Sequence, residues 1–475
     1  MKTENNESEV VHSVHSSLER LHRFSTKIKP KFEADLGLSE EIVKQISNIK
    51  NEPSWMLQIR LEAYRSFISR PLPHWSLVDL TQLEFENIRY YIRPEDKKAT
   101  SWDEVPPEIK ETFEKIGVPE AERKYLAGSV AQFESEGIYS HLRKELEEKG
   151  VIFCDMDTAV QKYPNLLQKY FGKCVPLNDN KFSSLHYAVW SGGSFAYIPS
   201  GVKIDMPLQT YFRMNEIREG QFEHTLIIAE KDTNVHYVEG CTAPIYDKDS
   251  LHSAVVEIFV GENSNVRYTT VQNWSKNVYN LNTKRAIVQK NGRITWVGGS
   301  MGSKATMLYP CSVLVGDNSR AEHLNIALAG EGTIKEGGAK VIHIGKNTSS
   351  KIDAKSISLN GGHSIYRGLV KIGKNAHNSR VDVKCDAIIL DDISKSSTYP
   401  TIKDETQGAK IVHEATAGRL DEIRLFYLQS RGISKERARE MLVMGFVEPV
   451  LKELPLEYAV ELNRLISLEM KSSIG

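Results

Sequence analysis

Four short turns in this 475-residue chain repeat almost letter for letter: Val260-Gly261-Glu262-Asn263-Ser264, Val315-Gly316-Asp317-Asn318-Ser319, Ile344-Gly345-Lys346-Asn347-Thr348 and Ile372-Gly373-Lys374-Asn375-Ala376. Their glycines fall 55, 29 and 28 residues apart (261 to 316, 316 to 345, 345 to 373). The long interval is about two periods, and a degenerate copy, Val288-Gln289-Lys290-Asn291-Gly292, fills it; Lys231-Asp232-Thr233-Asn234 lies about one period earlier. Each copy ends an apolar run on residues that tolerate φ > 0 or bond their own backbone, which is turn chemistry. A fixed period of this size marks stacked supersecondary units. The segments between the turns, such as 253–260, 265–272 and 339–344, are short and rich in β-branched and aromatic residues. That composition suits strands, and none of these runs has the length and 3.6-residue period of an amphipathic helix. The middle of the chain reads as a β-solenoid. An antiparallel sandwich has little reason to repeat one turn sequence.

Helical regions flank the solenoid, so the fold class expected is α+β. Residues 1–36 are polar and lack pattern, and they read as a flexible tail. Within 37–185, Ser39 caps a helix through Ile49, and Pro53 is the first-turn residue of a second helix from Trp55. Further helices are expected near 106–116, 119–127, 136–149 and 160–171. The β-helix core spans 186–411. In the C-terminal region, 412–475, Leu420 to Arg431 forms a helix stopped by Gly432, Ser434 caps the next through about Val447, and Pro455 precedes a last one over 456–472. The apolar residues of this region fit either the core of a small helical cap or a docking surface.

The net charge of −1 argues against an electrostatic nucleic-acid binder. No apolar run approaches the roughly 18 residues that span a bilayer, and the N-terminus has no apolar signal segment. Five scattered cysteines (Cys154, Cys174, Cys241, Cys311, Cys385) include no C-x-x-C pair, so neither a zinc ribbon nor a four-thiolate cluster site is written locally. A cytoplasmic protein with reduced thiols is expected. The glycine-rich stretches 298–304 and 332–340 lack G-K-[ST] at phosphate-loop spacing, which excludes ATP hydrolysis by that device.

Three places suggest chemistry. In Val238-Glu239-Gly240-Cys241-Thr242-Ala243-Pro244 a strand ends on a cysteine beside a turn. In Val381-Asp382-Val383-Lys384-Cys385-Asp386-Ala387, alternation puts Cys385 on the face of Val381, Val383 and Ala387, the pattern of a buried cysteine. His413-Glu414 joins an imidazole and a carboxylate, of which an extended backbone presents only one to a site shared with Cys385. A cysteine with one such partner is an incomplete metal site.

The stretches Asn51-Glu52-Pro53-Ser54-Trp55-Met56-Leu57, Ala188-Val189-Trp190-Ser191-Gly192-Gly193-Ser194-Phe195, 207–215, 239–244 and Leu454-Pro455-Leu456-Glu457 resemble the SufB/SufD family of iron–sulfur cluster assembly proteins, on its SufB side. The resemblance covers the chain from about residue 37 onward. It implies a right-handed parallel β-helix with helical ends, and a scaffold rather than an enzyme. It further implies a SufC ATPase docked on the C-terminal helices, a SufD paralogue or a second copy as partner, a sulfur donor, and apo-proteins that receive the product. Cys241 matches the sulfur-accepting cysteine, which becomes a persulfide and calls for an accessible thiolate. Arg213, Asn215, Gln272, Trp274 and Lys290 match positions on a sulfur-transfer path. Cys385, with Glu414 and His413, matches the region where a [2Fe–2S] or [4Fe–4S] cluster is built; a flavin is allowed but not indicated. Parity sets Gln209, Tyr211, Arg213 and Asn215 on one face of a strand, and Gln272 with Trp274 on one face of another, pointing into the solenoid or to solvent.

The chain departs from the pattern in having no cysteine before Cys154, where relatives often carry a cysteine-rich motif. The stretch 415–422 resembles SufD as much as SufB, which would suit a chain playing both roles in a homodimer. The rivals are a SufD-like architectural partner without its own cluster and a polysaccharide-processing β-helix enzyme. The latter calls for a groove of paired carboxylates that the sequence does not show.

Overall fold

The computed structural model describes residues 30–94, 104–107, 109–110, 126–214, 219–242, 248–406 and 408–454, with scattered positions between 459 and 470. Its centre is a solenoid of about seven turns built from two parallel sheets. Sheet I stacks Leu208–Arg213, Asn234–Thr242, Asn265–Trp274, Arg293–Gly302, Arg320–Ala329, Ser349–Ser358, Arg380–Ile389 and Lys410–Arg419. Sheet II faces it with Gly193–Ile198, His224–Ala229, Val255–Val260, Val278–Val288, two interrupted rungs (Ala305–Leu308 with Cys311–Leu314; Ile334–Gly337 with Lys340–His343), His363–Ile372 and Lys395–Asp404. Identical register repeats along sheet I, where Asn234, Asn265, Arg293, Arg320, Ser349, Arg380 and Lys410 stand in one column.

The repeated turns divide their work between two residue types. Asparagine, or aspartate in the first copy, takes the left-handed conformation: Asp232, Asn263, Asn291, Asn318 and Asn347 have φ of 55–61°. These side chains form a ladder, with Asn263 Nδ2 donating to Asp232 Oδ1 at 2.8 Å, Asn291 to Asn263 at 2.8 Å and Asn318 to Asn291 at 3.1 Å. In the last copy Asn378 (φ 60°), not Asn375 of the repeated motif, fills this place. The turn glycines serve a different need, the close approach of the coil below. A Cβ on Gly316 would stand 1.9 Å from the backbone nitrogen of Lys290.

The N-terminal region is less helical than its composition suggests. Residues 136–149, expected as a helix, form the strand Glu136–Leu142 and a single helical turn, Lys144–Glu147. The strand pairs antiparallel with Gly128–Phe133, which runs parallel to Leu208–Arg213, while Ile152–Asp155 closes the start of sheet II. Covering the first coil's edges outweighs the local preference for helix. The helices Glu40–Ile49, capped by the Ser39 side chain, and Ser54–Ser69 form as expected, except that Pro53 occupies the N-cap rather than the first turn. The helix expected over 160–171 divides into Met156–Lys162 and Pro164–Tyr170, because Pro164 can start a helix but cannot continue one. The helices expected at 106–116, 119–127 and 456–472 fall largely outside the described residues.

At the other end, Gly432 (φ 84°) follows the helix Glu422–Ser430, and Ser434 caps Lys435–Leu451, which runs a turn beyond the expected Val447. This second helix buries Val443, Val447 and Val450 against Val271, Val297, Ile326 and Ile357 on the outer face of sheet I. The first helix buries none of its residues.

Candidate functional site

Strand alternation turns Tyr237, Glu239 and Cys241 into the space between the sheets. Cys241 pairs in register with Phe212 on one side and Gln272 on the other. It is fully buried, packed with Phe212, Met214, Trp274 and Val278. Burial pushes its thiol well above the ordinary range, and the Glu239 carboxylate, 3.7 Å from Sγ, adds to the rise. The accessible thiolate expected at a strand end is therefore not what this conformation holds: Cys241 lies inside the solenoid as a neutral thiol.

A dense polar network surrounds it. Lys284 Nζ lies 2.9 Å from Glu239 Oε1 and 2.9 Å from the Tyr268 hydroxyl, which itself bonds Glu239. Burial works to raise the Glu239 pKa, but Lys284 and Tyr268 outweigh it and hold the carboxyl below its usual value. Beside this pair, His252 bonds Glu223 through Nε2 and donates from Nδ1 to Asn280 Oδ1 (2.7 Å), and Asn280 Nδ2 donates to Gln272 Oε1 at 2.7 Å. The His252 ring lies 4.3 Å from the Trp274 ring. Two buried donors, Gln272 Nε2 and Trp274 Nε1, have no partner among the described residues. Buried orphans are costly, so their persistence next to Cys241 marks a place where water or a small guest would be bound.

The expected path residues do not all gather here. Gln272 and Trp274 share the interior with Cys241. Arg213 stands in register with Thr242, so it projects from the opposite face of its strand, although it too is buried. Lys290 is exposed on an outer turn, where its carbonyl accepts from Asn263 N. Asn215 lies outside the described residues. Glu239, Lys284, His252, Glu223 and Tyr268 were not singled out from the sequence. Their signal was there: Asn280, Asn282 and Lys284 alternate on the same face as Ala286 and Val288, a polar row on an inward face.

Cys385 also points inward, with Val381 and Val383. Burial pushes its thiol up to about 11, against the lowering effect of the Tyr366 hydroxyl. In the next strand His413 stands opposite Val383 and Ala415 opposite Cys385, so His413 shares the inward face, and its buried Nε2 has no partner among the described residues. Glu414, opposite Lys384, faces outward and is exposed. Parity thus selects His413 as the neighbour of Cys385 within the chain. No group of three or more His, Cys, Asp or Glu among the described residues could hold a metal ion.

Between the two cysteines lies a cavity of about 60 Å³, walled by Gly298, Ser300, Ala327, Ala354, Ser356 and Cys385 from sheet I and by Thr306, Lys335, Gly337 and Tyr366 from sheet II. The register line through Cys241 continues as Gln272, Ser300, Ala327, Ser356 and Ala387. After Gln272 every inward residue on that line is small.

Two family models match the chain: the SufBD protein N-terminal region over residues 43–210, and the SUF system FeS cluster assembly SufBD core domain over 212–446. The chain belongs to the SufBD family. An iron–sulfur cluster assembly SufBD family protein of Staphylococcus aureus (strain USA300) is 55% identical over 444 residues, covering 94% of this chain and 95% of that protein. A Staphylococcus saprophyticus protein of the same description is 54% identical over the same length and shares. Membership assigns the SufBD chain to iron–sulfur cluster assembly, and the family description spans both SufB and SufD. No helix among its described residues is long and apolar enough to cross a membrane.

Proposed function

We propose that this SufBD chain is a SufB-type scaffold. It accepts sulfur at Cys241, passes it along the solenoid interior, and supports a nascent [2Fe–2S] or [4Fe–4S] cluster at Cys385 for delivery to apo-proteins. The observation that supports this most is the line of small inward side chains running from Gln272 to the Cys385 cavity. Sulfur enters by exchange: the Cys241 thiolate attacks the terminal sulfur of a donor persulfide, the donor thiolate leaves, and Cys241 carries the persulfide, with no net oxidation. Since the resting thiol is buried and protonated, loading needs local opening around the strand end. The Lys335 ammonium, which donates to Thr306 Oγ1 at 3.2 Å on the cavity wall, offers positive charge to a reduced sulfur anion.

Cys385 and His413 are too few ligands for a cluster, which usually takes four. The terminal strands Lys395–Asp404 and Lys410–Arg419 end their sheets and are largely exposed. An open edge of this length calls for a cover, and a SufD paralogue or a second copy on it would bring further ligands toward Cys385 and Glu414. A weakly held cluster suits a protein that gives it away. On the helix Glu422–Ser430, Ile423, Phe426 and Tyr427 are 82%, 73% and 56% exposed, a surface suited to a SufC ATPase. ATP hydrolysis then belongs to the partner, and this chain works without catalysing a reaction of its own.

The test is anaerobic reconstitution with and without SufC. Cys241→Ser should fold and fail to load sulfane sulfur from a desulfurase, and Cys385→Ala should lose most of the cluster absorbance. Equal loading and equal cluster yield in both variants would remove the reading. Ile423→Asp with Phe426→Asp should abolish SufC co-purification while leaving the solenoid intact.

A further inference from the structure

The outward face of sheet II holds a second, separate cluster of chemistry. Arg285, Cys311 and Lys340 stand in one register column on three successive rungs. Ser312 faces inward, bonded to Trp296 and His323, so Cys311 and its column face out. Segments 70–75 and 179–182 of the N-terminal region arch over this column and leave a cleft of about 430 Å³. That volume is within the range of small-ligand sites.

The cleft is cationic and poorly compensated. Arg285 donates to Asp179 Oδ1 at 2.7 Å and to the Cys174 carbonyl at 3.1 Å. Lys181 donates to the carbonyls of Phe67 and Arg70. Among the described residues Asp179 is the one carboxylate on the wall. Among the described residues no carboxylate lies within 4.0 Å of Lys340 Nζ, whose close neighbours are two ring faces, Tyr309 at 5.0 Å and Trp75 at 5.9 Å. Burial holds the Lys340 pKa below the usual lysine value, the mark of a cation short of both water and counter-charge. A cation kept half-desolvated is costly unless an anion joins it. Trp75 is 45% exposed at the mouth and packs on Tyr309 with ring centroids 5.7 Å apart.

We propose that this cleft binds a small oxyanion, either free phosphate or the phosphate of a small organic molecule, with Lys340 and Arg285 taking the oxyanion and Trp75 bordering whatever is attached. The site is independent of the sulfur path, because its side chains leave sheet II on the face opposite to Cys241 and Cys385.

Isothermal titration of the full chain with inorganic phosphate and with adenosine monophosphate, at ionic strength held constant with sodium chloride, tests it. One saturable site is expected, weakened about tenfold or more by Lys340→Met, the loss of one charge-assisted bond, and unchanged by Lys371→Met elsewhere on the sheet. Tighter binding of the nucleotide than of phosphate, lost in Trp75→Leu, would identify a phosphorylated molecule; equal binding would identify the free ion. As a measurement on the unmutated chain, the bound anion should slow alkylation of Cys311, read by peptide mass spectrometry. No saturable binding of either probe, or binding that ignores Lys340→Met with Cys311 unprotected, overturns the proposal.

Discussion

The two cysteines at the ends of the solenoid interior occupy opposite kinds of surroundings. Around Cys241 the described residues bury the side chain, and an ion pair, a tyrosine, a histidine and two amides pack beside it. Around Cys385 the last two strands are open to solvent, the inward face thins to alanines and serines, and one histidine nitrogen has no partner among the described residues. The first arrangement buries a protonated thiol and costs the fold a buried polar network. On the proposed function, the second would leave room for a cluster to be built and for another chain to complete it. A scaffold that takes in a diffusible intermediate at one place and exposes a product at another would need this asymmetry.

The sharpest way to break the comparison is to unbalance the closed end. Lys284→Met leaves the Glu239 carboxylate buried without its counter-ion, and a loss of about 3–5 kcal/mol in denaturant unfolding is expected. Adding Glu239→Gln should recover most of it. If Lys284→Met alone is near neutral, the closed end is wetter than described.

Thiol reactivity sharpens the same contrast. At neutral pH a small alkylating reagent should reach Cys385, through the cavity, on the order of tenfold faster than Cys241, since access and thiolate fraction both govern the rate. The Cys385 thiol is raised from 9.0 to about 11 in the folded chain, so its contribution to stability is complete below pH 9 and is lost as pH rises through 11. The labelling rate should climb over that same interval. A rate that levels off near pH 9 would mean that Cys385 is not buried as shown.

The smallest effect tests the frame that holds both ends. Asn318→Ala forces a residue with a Cβ and no local bond into φ 61°, which should cost about 1–2 kcal/mol without moving either cysteine. The melting curve gives that figure.

The repeated turns made the solenoid legible, because asparagine at the left-handed position and glycine at the coil contact are demands of backbone geometry that recur with every rung. The strand Glu136–Leu142 was not legible, because its state is set by an edge 60 to 80 residues away in sequence, Leu208–Arg213 through Gly128–Phe133. The same limit applied to the site. Alternation correctly paired Gln272 with Trp274 and allowed only one of His413 and Glu414 to join Cys385. It could not tell that Arg213 faces outward, nor that Glu239 would meet Lys284, because facing residues on two different sheets carry no mark in either strand alone. Cys241 misled for a related reason: a strand end beside a turn is usually exposed, and here neighbouring coils cover it.

Filling the line of small inward residues between the two cysteines puts the central claim at stake most directly. Ala327→Leu adds a bulky side chain to the line of small inward residues, two strands from the strand of Cys385. After loading by a desulfurase, persulfide at Cys241 should equal that of the unmodified chain by mass spectrometry. Cluster absorbance on anaerobic addition of iron should fall to the level of Cys385→Ala. Full cluster yield in a folded Ala327→Leu chain would show that sulfur reaches Cys385 by another route and would contradict the account.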